Sequence, residues 1–289
     1  MLRILVRVLF LTCVLPGSSL HAGDAPVAHP KYVLESTELR TLPKSASGRE
    51  YLLYVALPYS WSKDSKKKYP VVYVTDGYWR FALMNGLYGA LQYDKVVPEY
   101  ITVGIGYADL TQDPEKLRTW ELSPVRLGLS TKTGNADKFL QTIETEIIPF
   151  VESEYRGDPR HRVLAGSSFG GLFSLYAMLA KPDLFSGYIA ASPSVQVGNE
   201  WIFNFEREFA RSRKPIKARL FMSAAEYEPT PFVRMIARFH EQLSKSKHPG
   251  LTTQMRLIDG ERHGGNTAEA MNRGLRFVFE PLAPEKGPM

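Results

Sequence analysis

A chain of 289 residues, 44% hydrophobic and 23% charged, has room for one α/β domain with a substantial core and little room for a second. Its formal net charge of +6 is mild, and the basic run Lys66-Lys67-Lys68 lacks the aromatic interleaving and fold motifs of a nucleic-acid binder, so no nucleic-acid partner is expected. The single cysteine, Cys13, excludes an intramolecular disulfide framework.

The N-terminus carries Arg3 and Arg7, then the apolar run 8–15, then Pro16-Gly17-Ser18-Ser19. This order of charged, apolar and small residues is that of a secretory signal peptide, with cleavage expected after Ala22. The run is shorter than the roughly 20 residues that cross a bilayer, so no permanent anchor is expected. Cleavage would remove Cys13, and with it any thiol nucleophile or cysteine metal site. The expected mature protein, residues 23–289, is a single periplasmic or secreted domain.

Beyond the leader, Tyr32-Val33-Leu34 and residues 49–58 read as strands separated by a turn at 43–48. Val71-Val72-Tyr73-Val74-Thr75 is a continuous apolar run of the kind found in buried parallel strands, ended by Asp76-Gly77. A helical stretch over 81–91 and a second run over 100–106 follow. Residues 107–134 show little periodicity and read as a long flap over a site. Phe139, Ile143, Ile147, Ile148 and Val151 recur at helical spacing, and a short strand at 162–166 leads to a helix over 172–179. Strands at 187–192, 218–223 and 253–258 are each preceded by a helical pattern, and a last helix covers 267–279. This alternation predicts an α/β fold with a mostly parallel central sheet and helices on both faces.

Gly166-Ser167-Ser168-Phe169-Gly170 lies between a strand and a helix and fits the G-x-S-x-G nucleophile elbow, with Ser168 at its tip. A serine hydroxyl is a weak nucleophile until a base accepts its proton, so a histidine is required after the last strand. His21 is in the leader, His29 precedes the fold, His161 opens the strand feeding the elbow, and His240 and His248 lie on or just after a helix. His263 alone follows the terminal strand, in a loop with glycines on both sides. The orienting carboxylate should follow the strand at 218–223. Glu226, nearer the strand end, is the expected acid, and Glu228 is its alternative. The oxyanion needs two backbone donors, for which the N–H groups of Phe169 and Tyr78 are the candidates. Asp76 reads as a turn-fixing carboxylate, while Trp79, Arg80, Arg118 and Trp120 are candidate pocket residues. The arginines would suit an anionic or catecholate ligand.

The ordered set Gly48-Arg49-Glu50-Tyr51, residues 55–58, residues 69–77, Gly166-Ser167-Ser168-Phe169-Gly170-Gly171, Phe185-Ser186-Gly187-Tyr188, Ser192-Pro193-Ser194 and the loop at His263 resembles the putative esterase (esterase D-like) family, nearest to its enterochelin-esterase-like branch. The resemblance spans about residues 30 to 280. It implies an α/β-hydrolase that acts on esters without a metal or other cofactor, some members cleaving the lactone bonds of catecholate siderophores. Ser223-Ala224-Ala225-Glu226 departs from it by lacking the glycine that many relatives carry before the acid. The function expected is an exported serine esterase that hydrolyses a small-molecule carboxylic ester, siderophore trilactones included, through an acyl-enzyme. Acyl transfer by the same residues, and a ligand-binding protein of the same fold without catalysis, are the alternatives.

Overall fold

A computed structural model of the chain describes residues 32–284 except 43, 44, 46, 47, 110 and 129–131. The expected signal peptide, 1–22, lies outside the described residues. The chain forms two units, Met1–Glu35 and Ser36–Met289. Of the first, residues 32–35 are described and hold no strand.

The second unit is built on an eight-stranded sheet in the order β1-β2-β4-β3-β5-β6-β7-β8. β1 (Thr37–Thr41), β2 (Tyr51–Ala56) and β4 (Ile101–Tyr107) pair antiparallel, and from β4 onward β3 (Tyr69–Val74), β5 (Gly157–Ser167), β6 (Gly187–Ala191), β7 (Arg219–Ala225) and β8 (Thr252–Ile258) pair parallel. All residues of β3, β4 and β6 are buried. This is the consequence of continuous apolar runs in strands covered on both faces. The covering helices form two layers. Helices α1 (Gly77–Tyr93) and α8 (Asn266–Phe279) enclose Met84, Leu91, Met271 and Leu275 on one face. On the other, α3 (Ala136–Thr142), α4 (Ile148–Tyr155), α5 (Phe169–Ala180), α6 (Val197–Arg211) and α7 (Thr230–Ser246) bring Phe139, Val151, Phe173, Ile202 and Phe239 to the core. The mostly parallel sheet between helical layers is that of an α/β-hydrolase.

Two local expectations differ from the fold. Tyr32-Val33-Leu34 is not a strand; the first strand is Thr37–Thr41, whose polar sequence TELRT suits an edge position where one side of the ribbon meets solvent. The segment 107–134 is not uniformly irregular, for it contains α2 (Pro114–Leu122). Asp113 caps that helix by accepting the Glu115 N–H at 3.0 Å, and Pro114 stands at the first helical position, where its missing N–H costs nothing.

Candidate active site

In a parallel sheet every strand delivers its following loop to the same edge, which is where such folds assemble sites. Here that edge gathers the turn after β3 (Asp76 to Tyr78), the turn after β5 (Ser168), the loop Ser192-Pro193-Ser194 after β6, Glu226 to Glu228 after β7, and His263 after β8.

Ser168 sits between the end of β5 and the start of α5 with φ 60° and ψ −117°, a conformation that an L-residue adopts only when its surroundings impose it. The surroundings do so through glycine. A Cβ on Gly166 would collide with the backbone carbonyl of Gly170, and one on Gly170 would collide with Thr75 Oγ1. The strand and helix can therefore cross closely only at this sequence. The Ser168 N–H donates to Ala191 O at 2.9 Å, and its Oγ hydrogen-bonds Ser194 Oγ at 3.2 Å. Phe169 is the first residue of α5 and Tyr78 the second of α1, so both N–H groups belong to first helical turns, which have no partner within their helices and favour negative charge.

The imidazole of His263 meets Glu228, with Nδ1 and Oε1 2.5 Å apart. The ring is half exposed, whereas the Glu228 side chain is 1% exposed. Burial alone would raise the Glu228 carboxyl, but hydrogen bonds from His263, the Ala225 N–H at 2.7 Å and the Ser192 hydroxyl outweigh it and hold the group below the usual carboxylate range. With Nδ1 engaged by an anion, Nε2 is the nitrogen left free to accept a proton.

Glu226, expected from its position to be the acid, is elsewhere. Its side chain is exposed and accepts the Gly260 N–H at 2.7 Å, tying the β7 loop to the loop that carries His263. The reason is a turn: the Glu228 N–H bonds back to Ala225 O, and its carboxylate folds inward over the Ala225 N–H. Nearness to the strand end does not decide which carboxylate meets His263, because the chain reverses within three residues and the second carboxylate is the one that turns in.

The candidate pocket residues divide. Arg118 is buried and gives Asp76 two hydrogen bonds, Nε to Oδ1 at 2.7 Å and Nη2 to Oδ2 at 2.9 Å, with Nη2 also 3.5 Å from Ser167 O. Burial disfavours its charge, but the Asp76 carboxylate more than compensates and leaves the guanidinium more firmly protonated than usual. Its hydrogen-bonding fork is spent inside the protein, so the expectation that it recognises an anionic ligand is corrected to a structural role. Trp120 is half-buried against the core with the Lys132 ammonium 4.6 Å from its ring centre. Trp79 is exposed and packs on Tyr78. Arg80 is partly buried; among the described residues no carboxylate lies within ion-pair distance, and its Nε has no hydrogen-bond partner. Among the described residues no group of three or more His, Cys, Asp or Glu is arranged to hold a metal ion.

Residues 44–234 match the model of the family described as "Putative esterase". The chain belongs to that family. It is a hydrolase acting on ester bonds. The chain is 26% identical over 274 residues to the ferri-bacillibactin esterase BesA of Bacillus subtilis, covering 88% of this chain and 93% of that protein. With the siderophore triacetylfusarinine C esterase of Aspergillus fumigatus it shares 28% identity over 207 residues, 66% of each chain. Among solved structures, the BES protein from Bacillus cereus superposes with a TM-score of 0.79 at 24% identity over 88% of this chain and 99% of that one, a likeness of fold.

Proposed function

We propose that this hydrolase is an exported serine esterase in which Ser168 is the nucleophile, His263 the base and Glu228 the orienting acid, and that its substrates are esters of the siderophore class. The observation that carries the reading is the His263–Glu228 hydrogen bond on the same sheet edge as a serine held at positive φ. Ser168 Oγ attacks the ester carbonyl as His263 Nε2 takes its proton, and Glu228 stabilises the imidazolium that results. The N–H groups of Phe169 and Tyr78 take the developing oxyanion. His263 then protonates the departing alcohol, and water, deprotonated by the same nitrogen, releases the acid from Ser168. In the free protein the Ser168 hydroxyl rests on Ser194, and the half-exposed His263 imidazole closes on Oγ as substrate binds while the contact with Ser194 is kept.

The substrate class is supported by the siderophore esterases to which the chain is similar, and the Arg80 guanidinium, 5.9 Å from the ring centre of the exposed Trp79, offers the positive charge that an ionised catecholate would pair with. Export is supported by the leader-like residues 1–22. A panel of catecholate trilactones with and without iron, hydroxamate esters, feruloyl esters and short acyl esters tests the reading. Turnover of a siderophore ester with kcat/KM well above that of p-nitrophenyl acetate is expected. Preference for feruloyl or short acyl esters would remove the siderophore assignment and leave the esterase.

A further inference from the structure

Ser194 is 4% exposed, and among the described residues the hydrogen-bond partner of its hydroxyl is Ser168 Oγ, 3.2 Å away. A buried hydroxyl needs a partner, and this one has been given the tip of the elbow instead of a neighbouring main-chain group. The main chain of Ser194 is tied separately, its N–H donating to Ser168 O at 3.1 Å, so the side chain is not required to hold the two loops together.

The loop that carries it is pinned on every side. Ser192 stands at φ 39°, its N–H bonded to Ser223 O at 2.9 Å and its Oγ accepting from Asn266 Nδ2 at 2.5 Å. Pro193 lies against Gly171, where a Cβ would come within 3.0 Å of the proline Cα. Asn266 follows His263 by three residues, so the bond from Asn266 to Ser192 fixes the Ser194 loop to the loop that supplies the base. A side chain presented this rigidly acts on its one partner without having to be reorganised first.

We infer that Ser194 is a further catalytic residue, whose hydroxyl donates to Ser168 Oγ while that oxygen carries charge. The inference rests on the reading of Ser168 as nucleophile. When Ser168 gives its proton to His263, the Ser168 oxygen has lone pairs to offer and no proton, so Ser194 must be the donor of the pair. During attack the Oγ–H bond breaks toward His263 Nε2 as the bond from Oγ to the ester carbon forms. During release the carbon–Oγ bond breaks with its electron pair going to Oγ, and the proton returns from His263. In both transition states Oγ is more negative than in the resting hydroxyl or the acyl ester, and a hydrogen bond to a charged oxygen is stronger than one to a neutral oxygen. The stabilisation therefore falls on the transition states.

Ser194→Ala is the test, assayed by steady-state turnover of a p-nitrophenyl ester and by the rate at which a small fluorophosphonate labels Ser168. The expected result is a fall of about tenfold or more in both kcat and labelling rate, the scale of one lost hydrogen bond to a charged group, with KM within about twofold. The melting temperature should be unchanged or raised, and Ser194→Thr, which keeps the hydroxyl, should recover most of the rate. Ser194→Gly should match Ser194→Ala. Retention of kcat and labelling within about twofold in the alanine variant would overturn the inference, as would a loss that comes with a lower melting temperature and that threonine does not restore. If wild-type protein neither turns over esters nor labels, the reading of Ser168 is what has failed; if it does both and Ser194→Ala equals it, only the role of Ser194 has.

Discussion

Asp76 and Arg118, 42 residues apart, meet in a buried two-pronged ion pair beneath the elbow, joining the turn after β3 to helix α2. Both side chains are almost wholly excluded from solvent, the arginine 7% and the aspartate 1% exposed. Asp76 is also at φ 58°, directly before Gly77 and Tyr78, so the pair sets the direction in which the first turn of α1 points its N–H groups. Arg118→Met would leave Asp76 buried without its partner, which costs about 3–5 kcal/mol. The expected outcome is a melting temperature lowered by several degrees and a similar proportional loss of activity on p-nitrophenyl and siderophore esters. A selective rise in KM for an anionic ester at unchanged stability would contradict the structural role.

The two carboxylates after β7 should differ sharply. Glu228→Ala removes the group bonded to His263 Nδ1 and is expected to lower kcat by about a hundredfold or more, since the base loses both its orientation and the counter-charge for its protonated form. Glu226→Ala removes one bond to the Gly260 N–H at the surface and should leave kcat within about threefold. Parallel kinetics of the two variants decide between them, and the reverse order of losses would return the acid to Glu226.

Two buried carboxylates make the fold sensitive to acid. Glu228 is held low against its burial by His263, Ala225 and Ser192; Glu206, with no side-chain exposure, is held low against its burial by His248 at 2.6 Å, Ser246 and Gln242. Each folded pKa lies below its unfolded value of about 4.3, so the stability it contributes is present above that pH and is lost as pH falls through the folded value. The urea midpoint should therefore be flat near neutrality and fall below about pH 4. In Glu206→Gln the midpoint should be lower at neutral pH, with a shallower decline in acid. A decline as steep as that of the wild type would mean that Glu206 does not contribute.

Gly166→Ala tests the steric basis of the elbow. The added methyl meets backbone atoms of Gly170, which cannot swing aside as a side-chain end would. Protein that folds with wild-type stability and activity would show that the crossing of β5 and α5 is looser than described; poor folding, or loss of activity with the sheet intact, is the expected result.

The parts of the molecule legible from sequence are those whose causes are local. The buried runs of β3, β4 and β6 are apolar on both faces because the strands are covered on both, and the elbow glycines are neighbours in sequence of the serine they free. The position of His263 follows from chain order. The partner of His263 did not, because Glu226 and Glu228 differ only in how a three-residue turn closes, and that turn is set by a bond from the Glu228 N–H to Ala225 O. Nor could the fate of Arg118 be read, since its partner stands in another loop and the sequence does not say which acids will be buried beside it. Helix α2 was legible in principle from Asp113-Pro114-Glu115, a capping signal followed by only nine helical residues, too few for a clear period. β1 was missed for the opposite reason: an edge strand of polar residues carries no apolar pattern at all.

The claim on which the rest depends is that Ser168 is an activated nucleophile. Intact-mass spectrometry after brief exposure to a fluorophosphonate measures this directly. One adduct, mapped by digestion to Ser168, abolished in Ser168→Ala and strongly slowed in His263→Ala and Glu228→Ala, is the expected result. An unmodified protein, or an adduct that persists in Ser168→Ala, would contradict it.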